Sequence, residues 1–493
     1  MHFSTASYLR VEKCCGKEHK MQIKLGKATA PALEIVGQYA AEQGENAVFC
    51  GKEKEVLLVP SLCKEVPHRV YVGCGERQKS AAQTMRVCFA QAWHKAKEYA
   101  KGDVQVVLPE LESEKASEFI AAAAQGICLA AYSFGGYHKE SAEKKEVNVW
   151  LSSEQEFAEK TDAQAAFEEA LNVAGAINTV RPLVQRAPND IYPETLAAFA
   201  AQQGKAHGID VQVLVPEELD ALGMNGLMSV GRGTAHGPRL IVMRYRGAQD
   251  APVFGLVGKG ITCDTGGYCV KGKDSLPYIK GDMAGAATVM AIVLAAAQNG
   301  LKVNLTAVIP TAENVIDGDS YKPGDVITMM NQMTVEVLNT DCEGRMILAD
   351  AITYLLEKED AASCVDMATL TGLAGSTFGS LYTPVFASDE AFYDDFCRAA
   401  KQANEDFWRM PLDPRYESYV KGDIADLKNM AGAGTISAAE FLHQFTQGKP
   451  WIHLDIAATA IQYPVVYPYA QDAPSGVAVR TIYEMLKSLN KNK

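Results

Sequence analysis

The sequence has no Cys-x-x-Cys pair, no His-Glu-x-x-His motif, no internal repeat and no low-complexity tract. Its twelve cysteines are scattered along 493 residues, which excludes a small disulfide scaffold and is typical of a reducing cytoplasm. There is no excess of positive charge either, because 60 Asp and Glu residues outnumber 47 Lys and Arg residues and the net charge is −13. Nucleic-acid binding through a basic surface is therefore not expected to be the main function of the chain.

Long hydrophobic runs are absent as well. The longest apolar stretches cover about residues 119–131 and 284–297, and both are shorter than the ~20 residues that cross a bilayer. The first residues carry no basic segment followed by an apolar block and a cleavage site. We expect both apolar stretches to be buried helices of a cytoplasmic protein without a membrane partner.

The composition is that of a globular protein, with 48% hydrophobic and 22% charged residues. The length predicts two or three domains. Short β-rich runs at residues 55–59 and 104–108 alternate with alanine-rich helical segments, which predicts an N-terminal α/β domain over residues 1–155. We place its boundary in the polar run 152–161, before a helix at about residues 163–180.

The rest of the chain, residues 156–493, repeats a strand-then-helix rhythm. Helical stretches separate most of its compact apolar runs, as a largely parallel sheet requires. The predicted fold class is therefore α/β, with a smaller N-terminal α/β domain and a larger C-terminal α/β/α domain on a mostly parallel central sheet. The apolar runs lie at residues 240–243, 253–257, 303–309, 335–338, 363–366 and 452–456.

Seven charged residues stand near the edges of these runs, where a carboxylate is costly to bury unless a cation meets it. Ligands of open α/β sheets collect beyond the carboxyl ends of the strands. Two pairs of these residues follow the runs 253–257 and 335–338, and another opens a helix, so we expect three strand-to-helix junctions to meet at one rim. The seven are Lys259, Asp264, Lys271, Asp282, Asp341, Glu343 and Arg345.

The four acids among them predict bound metal. Carboxylates without a histidine or thiolate make an oxygen-rich site, which suits Mn²⁺ or Mg²⁺ and is also used by Zn²⁺. One divalent ion would leave too many negative charges, whereas two would balance them. In two-metal sites the ions lie ~3.5–4 Å apart. We therefore expect two divalent metal ions at this rim.

Each residue alone also has a plainer interpretation. Asp282 could cap a helix, Arg345 could be half of an ion pair, and the turn after Asp264 could be only a turn. Cys342 could contact a ligand or be a small hydrophobic residue, whereas His453 is expected to be a structural hydrogen-bonding residue. The joint spacing of the seven charged positions favours a chemical site over these interpretations.

Several stretches resemble the leucine aminopeptidase family, also called cytosol aminopeptidases. The likeness covers most of residues 170–490 and is faint before about residue 150, and Cys342 and Met346 replace the usual alanine and leucine. The stretches include Lys259-Gly-Ile-Thr-Cys-Asp264-Thr-Gly-Gly, Lys280-Gly-Asp282-Met-Ala-Gly, Asn339-Thr-Asp341-Cys-Glu343-Gly-Arg345, Asp366-Met-Ala-Thr-Leu-Thr-Gly372, Asp423-Ile-Ala-Asp-Leu-Lys-Asn429 and His453-Leu-Asp-Ile-Ala457.

The resemblance implies a leucyl aminopeptidase-type metallo-exopeptidase that uses two Mn²⁺ or Zn²⁺ ions and a water or hydroxide that bridges them. Lys271 would stabilise the oxyanion, and Arg345 would bind a bicarbonate ion that shuttles the proton. One ion would be held by Lys259, Asp264, Asp282 and Glu343, and the other by Asp264, Asp341 and Glu343.

The resemblance also implies short peptide substrates, a homohexamer, and release of an N-terminal Leu or other apolar residue. Asn339, Thr369, Leu370 and Gly372 would bind the substrate, although residues 369–372 could equally be a simple turn and Asn339 could merely end its strand.

Two departures from the family pattern concern the specificity pocket. Ile279 and Ala458 stand where relatives often carry methionine and glycine, which leaves the preferred residue open. Two other functions compete with peptide hydrolysis: a different two-metal hydrolase, for example one acting on phosphate esters, and a DNA-binding regulator with the same fold. The acidic charge disfavours the regulator.

Overall fold

The computed structural model describes residues 19–40, 48–63, 65–138, 145–153, 160–471 and 473–489. The chain forms two compact units. One comprises Met1–Thr179 with Val465–Ala473, and the other comprises Val180–Pro464 with Pro474–Lys493. The predicted boundary between residues 155 and 156 lies outside the described residues and stays a prediction.

The first unit contains six strands, two complete helices and the start of a third. The elements are β1 (His19–Leu25), β2 (Leu33–Gln38), β3 (Val56–Val59), β4 (His68–Gly73), α1 (Ala82–Ala96), β5 (Gly102–Leu108), α2 (Ala116–Ala130), β6 (Lys145–Ser153) and the start of α3 (Lys160–Gln185). The strands form a sheet in the order β1-β6-β5-β2-β4-β3, in which every described pair is parallel except β3 with β4. The alanine-rich helices α1 and α2 pack closely, since a Cβ on Gly126 would stand 2.1 Å from the carbonyl oxygen of Arg86.

A late segment of the chain also belongs to this unit. Val465–Ala473 lies against α1, where His94 Nε2 is 2.8 Å from the carbonyl oxygen of Pro468 and Gln83 Nε2 donates to the Tyr469 hydroxyl at 3.3 Å. Residues far apart in the sequence therefore complete one unit.

The second unit contains the remaining strands and helices. Its strands are β7 (Asp210–Leu214), β8 (Arg239–Arg246), β9 (Val253–Gly258), β10 (Gly260–Asp264), β11 (Asn304–Asn314), β12 (Val326–Thr328), β13 (Thr334–Glu336), β14 (Ala361–Ala368), β15 (Thr383–Ala387), β16 (Phe407–Arg409), β17 (Leu427–Lys428) and β18 (Trp451–Asp455). Its helices, after the end of α3, are α4 (Pro193–His207), α5 (Pro216–Ala221), α6 (Asn225–Gly231), α7 (Ala284–Gln298), α8 (Glu343–Lys358), α9 (Gly372–Phe378), α10 (Glu390–Ala403), α11 (Glu417–Val420), α12 (Thr435–His443) and α13 (Val479–Leu489).

The large sheet of this unit runs β16-β15-β18-β14-β9-β11-β8-β7, and β10 pairs with β11. Its centre is parallel, from β18 through β14 and β9 to β11, while β15 and β8 run antiparallel to the strands on their inner sides. The predicted α/β class with a mostly parallel central sheet is confirmed. The carboxyl ends of the parallel strands consequently share one edge.

The two predicted apolar stretches are the buried helices α2 and α7. Every residue of α7 from Ala284 to Ala296 is buried, because the helix packs against the central strands. Among the described residues, Ile279–Gln298 is long and apolar enough to cross a membrane by length and composition, but 83% of it is buried inside the protein. A core helix passes the same test.

One predicted strand of the central sheet is placed elsewhere. The run 335–338 contributes only β13, which pairs with β12 and β17 in a separate small sheet. One reason is local, since the chain turns back between β12 and β13 and the Met329 N–H donates to the Met333 carbonyl at 2.8 Å. The other is the pairing of β13 with the distant β17. The prediction that Asp341 and Glu343 follow a strand of the central sheet was therefore wrong.

Candidate metal centre

Close backbone packing at the carboxyl edge of the sheet positions Lys259 between β9 and β10. The Lys259 N–H donates to the Met367 carbonyl of β14 at 3.1 Å, and its carbonyl accepts from the Ala286 N–H of α7 at 2.8 Å. A Cβ on Gly285 would stand 2.1 Å from the Met367 carbonyl oxygen, so only glycine permits this approach. The start of α7 is thereby brought beside Lys259.

The Lys259 ammonium lies at the centre of a buried group of oxygens. Its Nζ is 2.8 Å from Asp282 Oδ2, 2.8 Å from Glu343 Oε1 and 3.1 Å from the Thr369 carbonyl oxygen. The residue is only 3% exposed. Burial alone would lower the pKa of Lys259, but the neighbouring carboxylates, led by Asp282, outweigh it and raise the pKa.

Asp264, the last residue of β10, is held by a glycine turn. Its Oδ1 accepts from the Gly266 N–H at 3.0 Å and from Asn314 Nδ2 at 2.9 Å, while Oδ2 is 2.9 Å from Lys271 Nζ. Gly266 has a φ of +89°, and a Cβ there would stand 2.5 Å from a carbonyl of the same turn. Lys271 also pairs with Asp341, so the turn places one ammonium between two carboxylates.

Asp341 and Glu343 reach the site through a loop and the first turn of α8. The loop is fixed by the fully buried Asn429, whose Oδ1 accepts from the N–H groups of Leu338 at 2.8 Å and Asn339 at 3.2 Å. Its Nδ2 donates to the Asn339 carbonyl at 2.7 Å. These contacts replace the strand that the sequence predicted at this position.

The acids at this site are crowded and desolvated. Burial raises the pKa of Asp282 to about 8 and raises the pKa values of Asp341 and Glu343. Asp264 adds a repulsive contribution in each case. Several negative charges in one desolvated place are stable only if cations meet them.

The donor set fits divalent metal ions. One carboxylate oxygen from each of Asp264, Asp341 and Glu343 lies within 4.8 Å of the others. Glu343 Oε2 is buried without a hydrogen-bond partner, which would cost about 1–3 kcal/mol if nothing else met it. Oxygen ligands of this kind suit hard or borderline divalent cations.

Arg345 lies two residues further along α8 and is 7% exposed. Its Nε is buried without a hydrogen-bond partner, and the ion pairs found among the described residues do not include it. The plainer interpretation of Arg345 as half of an ion pair was therefore wrong. Asp282 likewise makes no capping hydrogen bond to α7, whose N-cap residue is Met283.

A cavity of about 390 Å³ opens over these groups. Its walls include the seven charged residues, the β14–α9 turn (residues 369–371), and the start of α9. The predicted substrate-binding residues Asn339, Thr369, Leu370 and Gly372 all line it, as does Cys342. Their roles stay predictions, but the structure brings all eleven predicted site residues to one cavity.

A larger cavity, of about 650 Å³, lies at the opposite edge of the sheet. Its wall includes Ser388, whose N–H donates to the carbonyl of Trp451 at the amino end of β18. There the charged groups pair with each other, as Arg409 does with Glu390 at 2.7 Å. We therefore place the site in the smaller cavity, where metal-ligand groups converge.

Some supporting residues received no role from the sequence. Asn429 and Asp455 lie in stretches that resembled the family, yet their partners are distant along the chain. Their buried polar character after apolar residues was the available signal. His453 was predicted to be a structural hydrogen-bonding residue, and this is confirmed by the 2.6 Å contact of its Nδ1 with Asp366 Oδ1.

Comparisons with known proteins agree with this geometry. Residues 178–483 match the model of the cytosol aminopeptidase family, catalytic domain, and residues 23–141 match that of the family's N-terminal domain. A probable cytosol aminopeptidase of Clostridium perfringens is 37% identical over 84% of this chain and 85% of its own length. Another, of Clostridium tetani, is 33% identical over 97% and 99%.

A solved structure is similar as well. The bottromycin maturation enzyme BotP in complex with Mn shares 29% sequence identity, covers 94% of this chain and all of its own, and superposes with a TM-score of 0.84.

Proposed function

Because the chain belongs to the cytosol aminopeptidase family and is a metal-dependent aminopeptidase, we propose that it removes the N-terminal residue from short peptides at the cavity over Lys259. The observation that carries this proposal is the meeting of three carboxylates within 4.8 Å beside the buried Lys259 and the partly buried Lys271, in the floor of one cavity. Such a site combines charge for metal with polar groups for a peptide.

We assign five ligands to two divalent ions, Mn²⁺ or Zn²⁺. Asp264 and Glu343 would serve both ions, and the buried Oε2 of Glu343 would gain the partner it lacks. When bound, the ions supply Lewis acidity that brings the pKa of a water towards neutrality. Lys259 would have to release its proton to bind, because only the neutral amine offers a lone pair to a metal. The ligands are Lys259, Asp264, Asp282, Asp341 and Glu343.

Lys271 and Arg345 act on the substrate side. The Lys271 side chain is 26% exposed and its Nζ faces Asp264 and Asp341, so its ammonium can donate to the oxygen on which negative charge develops during amide hydrolysis. Arg345 has a buried Nε without a partner at the start of a helix. That position suits a planar anion such as bicarbonate, which would carry the proton.

The wall of the cavity orients the peptide. Asn339 and the residues Thr369, Leu370 and Gly372 present polar groups and one apolar side chain next to the charged floor. The free α-amine of a peptide can approach the ions that these ligands would hold, whereas an internal peptide bond has no such amine to offer. We expect preference for Leu or another apolar N-terminal residue, in a cytoplasmic homohexamer.

Turnover of matched substrates tests this function. Protein stripped with a chelator and reloaded with Mn²⁺ or Zn²⁺ should hydrolyse leucyl amides and short peptides, and it should leave N-acetyl-leucyl amide and aryl phosphates intact. Activity in the metal-free protein, or turnover of the blocked amide or the phosphates, would overturn the proposal. Variant Glu343→Ala should lose both bound metal and turnover.

A further inference from the structure

Asp455 is a fully buried carboxylate that holds the β14–α9 turn. It ends β18, next to Ala368 at the end of β14. Its Oδ1 accepts from the N–H groups of Leu370 at 3.2 Å, Thr371 at 3.4 Å and Ala457 at 3.2 Å. Its Oδ2 accepts from the Thr371 hydroxyl at 2.6 Å.

These contacts help to compensate for burying this carboxylate. The ion pairs of the described residues place no lysine or arginine on Asp455, so backbone and hydroxyl donors stabilise it together with its electrostatic interaction with His453. A buried carboxylate that depends on such donors imposes their geometry, because losing one leaves a charge partly unsatisfied. The backbone of the turn is thereby constrained.

The β14–α9 turn also contacts two of the proposed metal ligands and the cavity wall. The Thr369 carbonyl accepts from Lys259 Nζ at 3.1 Å, and the Thr369 hydroxyl donates to Asp282 Oδ1 at 2.7 Å. On the other side, the Thr371 hydroxyl lies 2.7 Å from that of Thr435, the first residue of α12. One carboxylate therefore connects two metal-ligand residues with both sides of the cavity.

We propose that Asp455 is a positioning residue for peptide hydrolysis, which acts by holding the β14–α9 turn against Lys259 and Asp282 and in line with the substrate. This inference rests on the proposed function for its kinetic part. Its structural part, the constraint on the turn, can be measured without any substrate.

Asp366 provides a matched control. It is also a fully buried acid on a central strand, but its partners are His453 at 2.6 Å and Trp451 Nε1 at 2.7 Å, and neither lies in the turn. Asp366→Asn should therefore report the loss of a buried charge on the neighbouring strand, including any effect through His453, which interacts electrostatically with both acids, without removing a hydrogen bond to the turn. Asp455→Asn keeps the shape and one acceptor oxygen, and Asp455→Ala removes all acceptors.

Amide hydrogen exchange of the holoenzyme tests the constraint. Peptides that cover residues 369–373 should lose protection in Asp455→Asn and more strongly in Asp455→Ala, while Asp366→Asn leaves them as in the wild type. Unchanged protection in Asp455→Asn would overturn the proposal. This arm does not depend on catalysis.

Kinetics at saturating Mn²⁺ test the consequence. We expect kcat/KM for a leucyl peptide to fall about tenfold in Asp455→Asn and about a hundredfold in Asp455→Ala, as for a displaced catalytic group. Thr371→Val should lower kcat/KM to a similar extent as Asp455→Asn. In the double variant the fold-decrease in kcat/KM should be smaller than the product of the two single fold-decreases.

Three kinetic results would contradict the role. The losses of kcat/KM in Thr371→Val and Asp455→Asn would multiply in the double variant, Asp455→Asn would lose no more kcat/KM than Asp366→Asn, or Asp455→Ala would keep full activity. If the wild type did not hydrolyse peptides but the variants still showed the expected differences in amide exchange, the proposed function alone would be refuted.

Discussion

Asp350 gives a sharp test of the electrostatics inside the second unit. It lies on α8 with no exposed surface. Its Oδ1 accepts from the Met330 N–H at 2.9 Å and its Oδ2 from the Leu227 N–H at 3.0 Å. Burial raises the pKa of Asp350 to about 7, although the backbone hydrogen bonds oppose the shift.

The sign of the pH dependence follows from this direction. The folded carboxyl has a pKa of about 7 against a usual value of 3.8, so between these values the folded chain binds more protons than the unfolded chain. Stability therefore falls as the pH rises through that window, with no penalty below it and the full penalty above it. At 1.36 kcal/mol per pKa unit, the full penalty is on the order of 4 kcal/mol.

The assay compares wild type with Asp350→Asn. Denaturant unfolding from about pH 4 to about pH 8 should show the wild type losing several kcal/mol relative to the variant, because asparagine cannot ionise. The asparagine side chain must place its NH₂ group opposite one backbone N–H donor. The free-energy cost of this unfavourable contact is the same at every pH. Other buried acids are common to both proteins and cancel in the difference. Parallel curves across the whole range would refute the reasoning.

Three further predictions concern the site. Asn429→Ala should lower kcat/KM by about tenfold at saturating metal, because three backbone groups lose their partner; unchanged kinetics would contradict this. Gly266→Ala should lose metal affinity, measured by calorimetry, because of its positive φ and a 2.5 Å clash, whereas Gly272→Ala, with nothing within 4 Å of the added Cβ, should bind metal normally. Arg345→Ala should lower turnover and leave metal content nearly intact by elemental analysis; loss of both metals would rule out its anion-binding role.

The sequence predicted the central sheet because its apolar runs are compact and are mostly separated by helical stretches. The runs 253–257 and 363–366 became β9 and β14. It also predicted which charged residues would meet. Local spacing carried both results.

What the sequence could not predict depends on long-range partners. The run 335–338 has the composition of a core strand. Its first residues nevertheless pair with β12 on one side and β17 on the other, and they therefore belong to a second sheet. Asn339 is fixed by hydrogen bonds to Asn429, and the β14–α9 turn is fixed by hydrogen bonds to Asp455. No periodicity within either segment reports such pairings.

The segment Val465–Ala473 has a practical consequence for dissecting this protein. Since it completes the first unit from within the sequence of the second, no single cut of the gene separates the two. A fragment of residues 180–493 would carry a piece that belongs to the first unit, and a fragment ending at residue 179 would expose the face of α1 that Pro468 and Tyr469 contact. Splitting the protein cleanly would require excising that piece and grafting it back onto the shorter fragment.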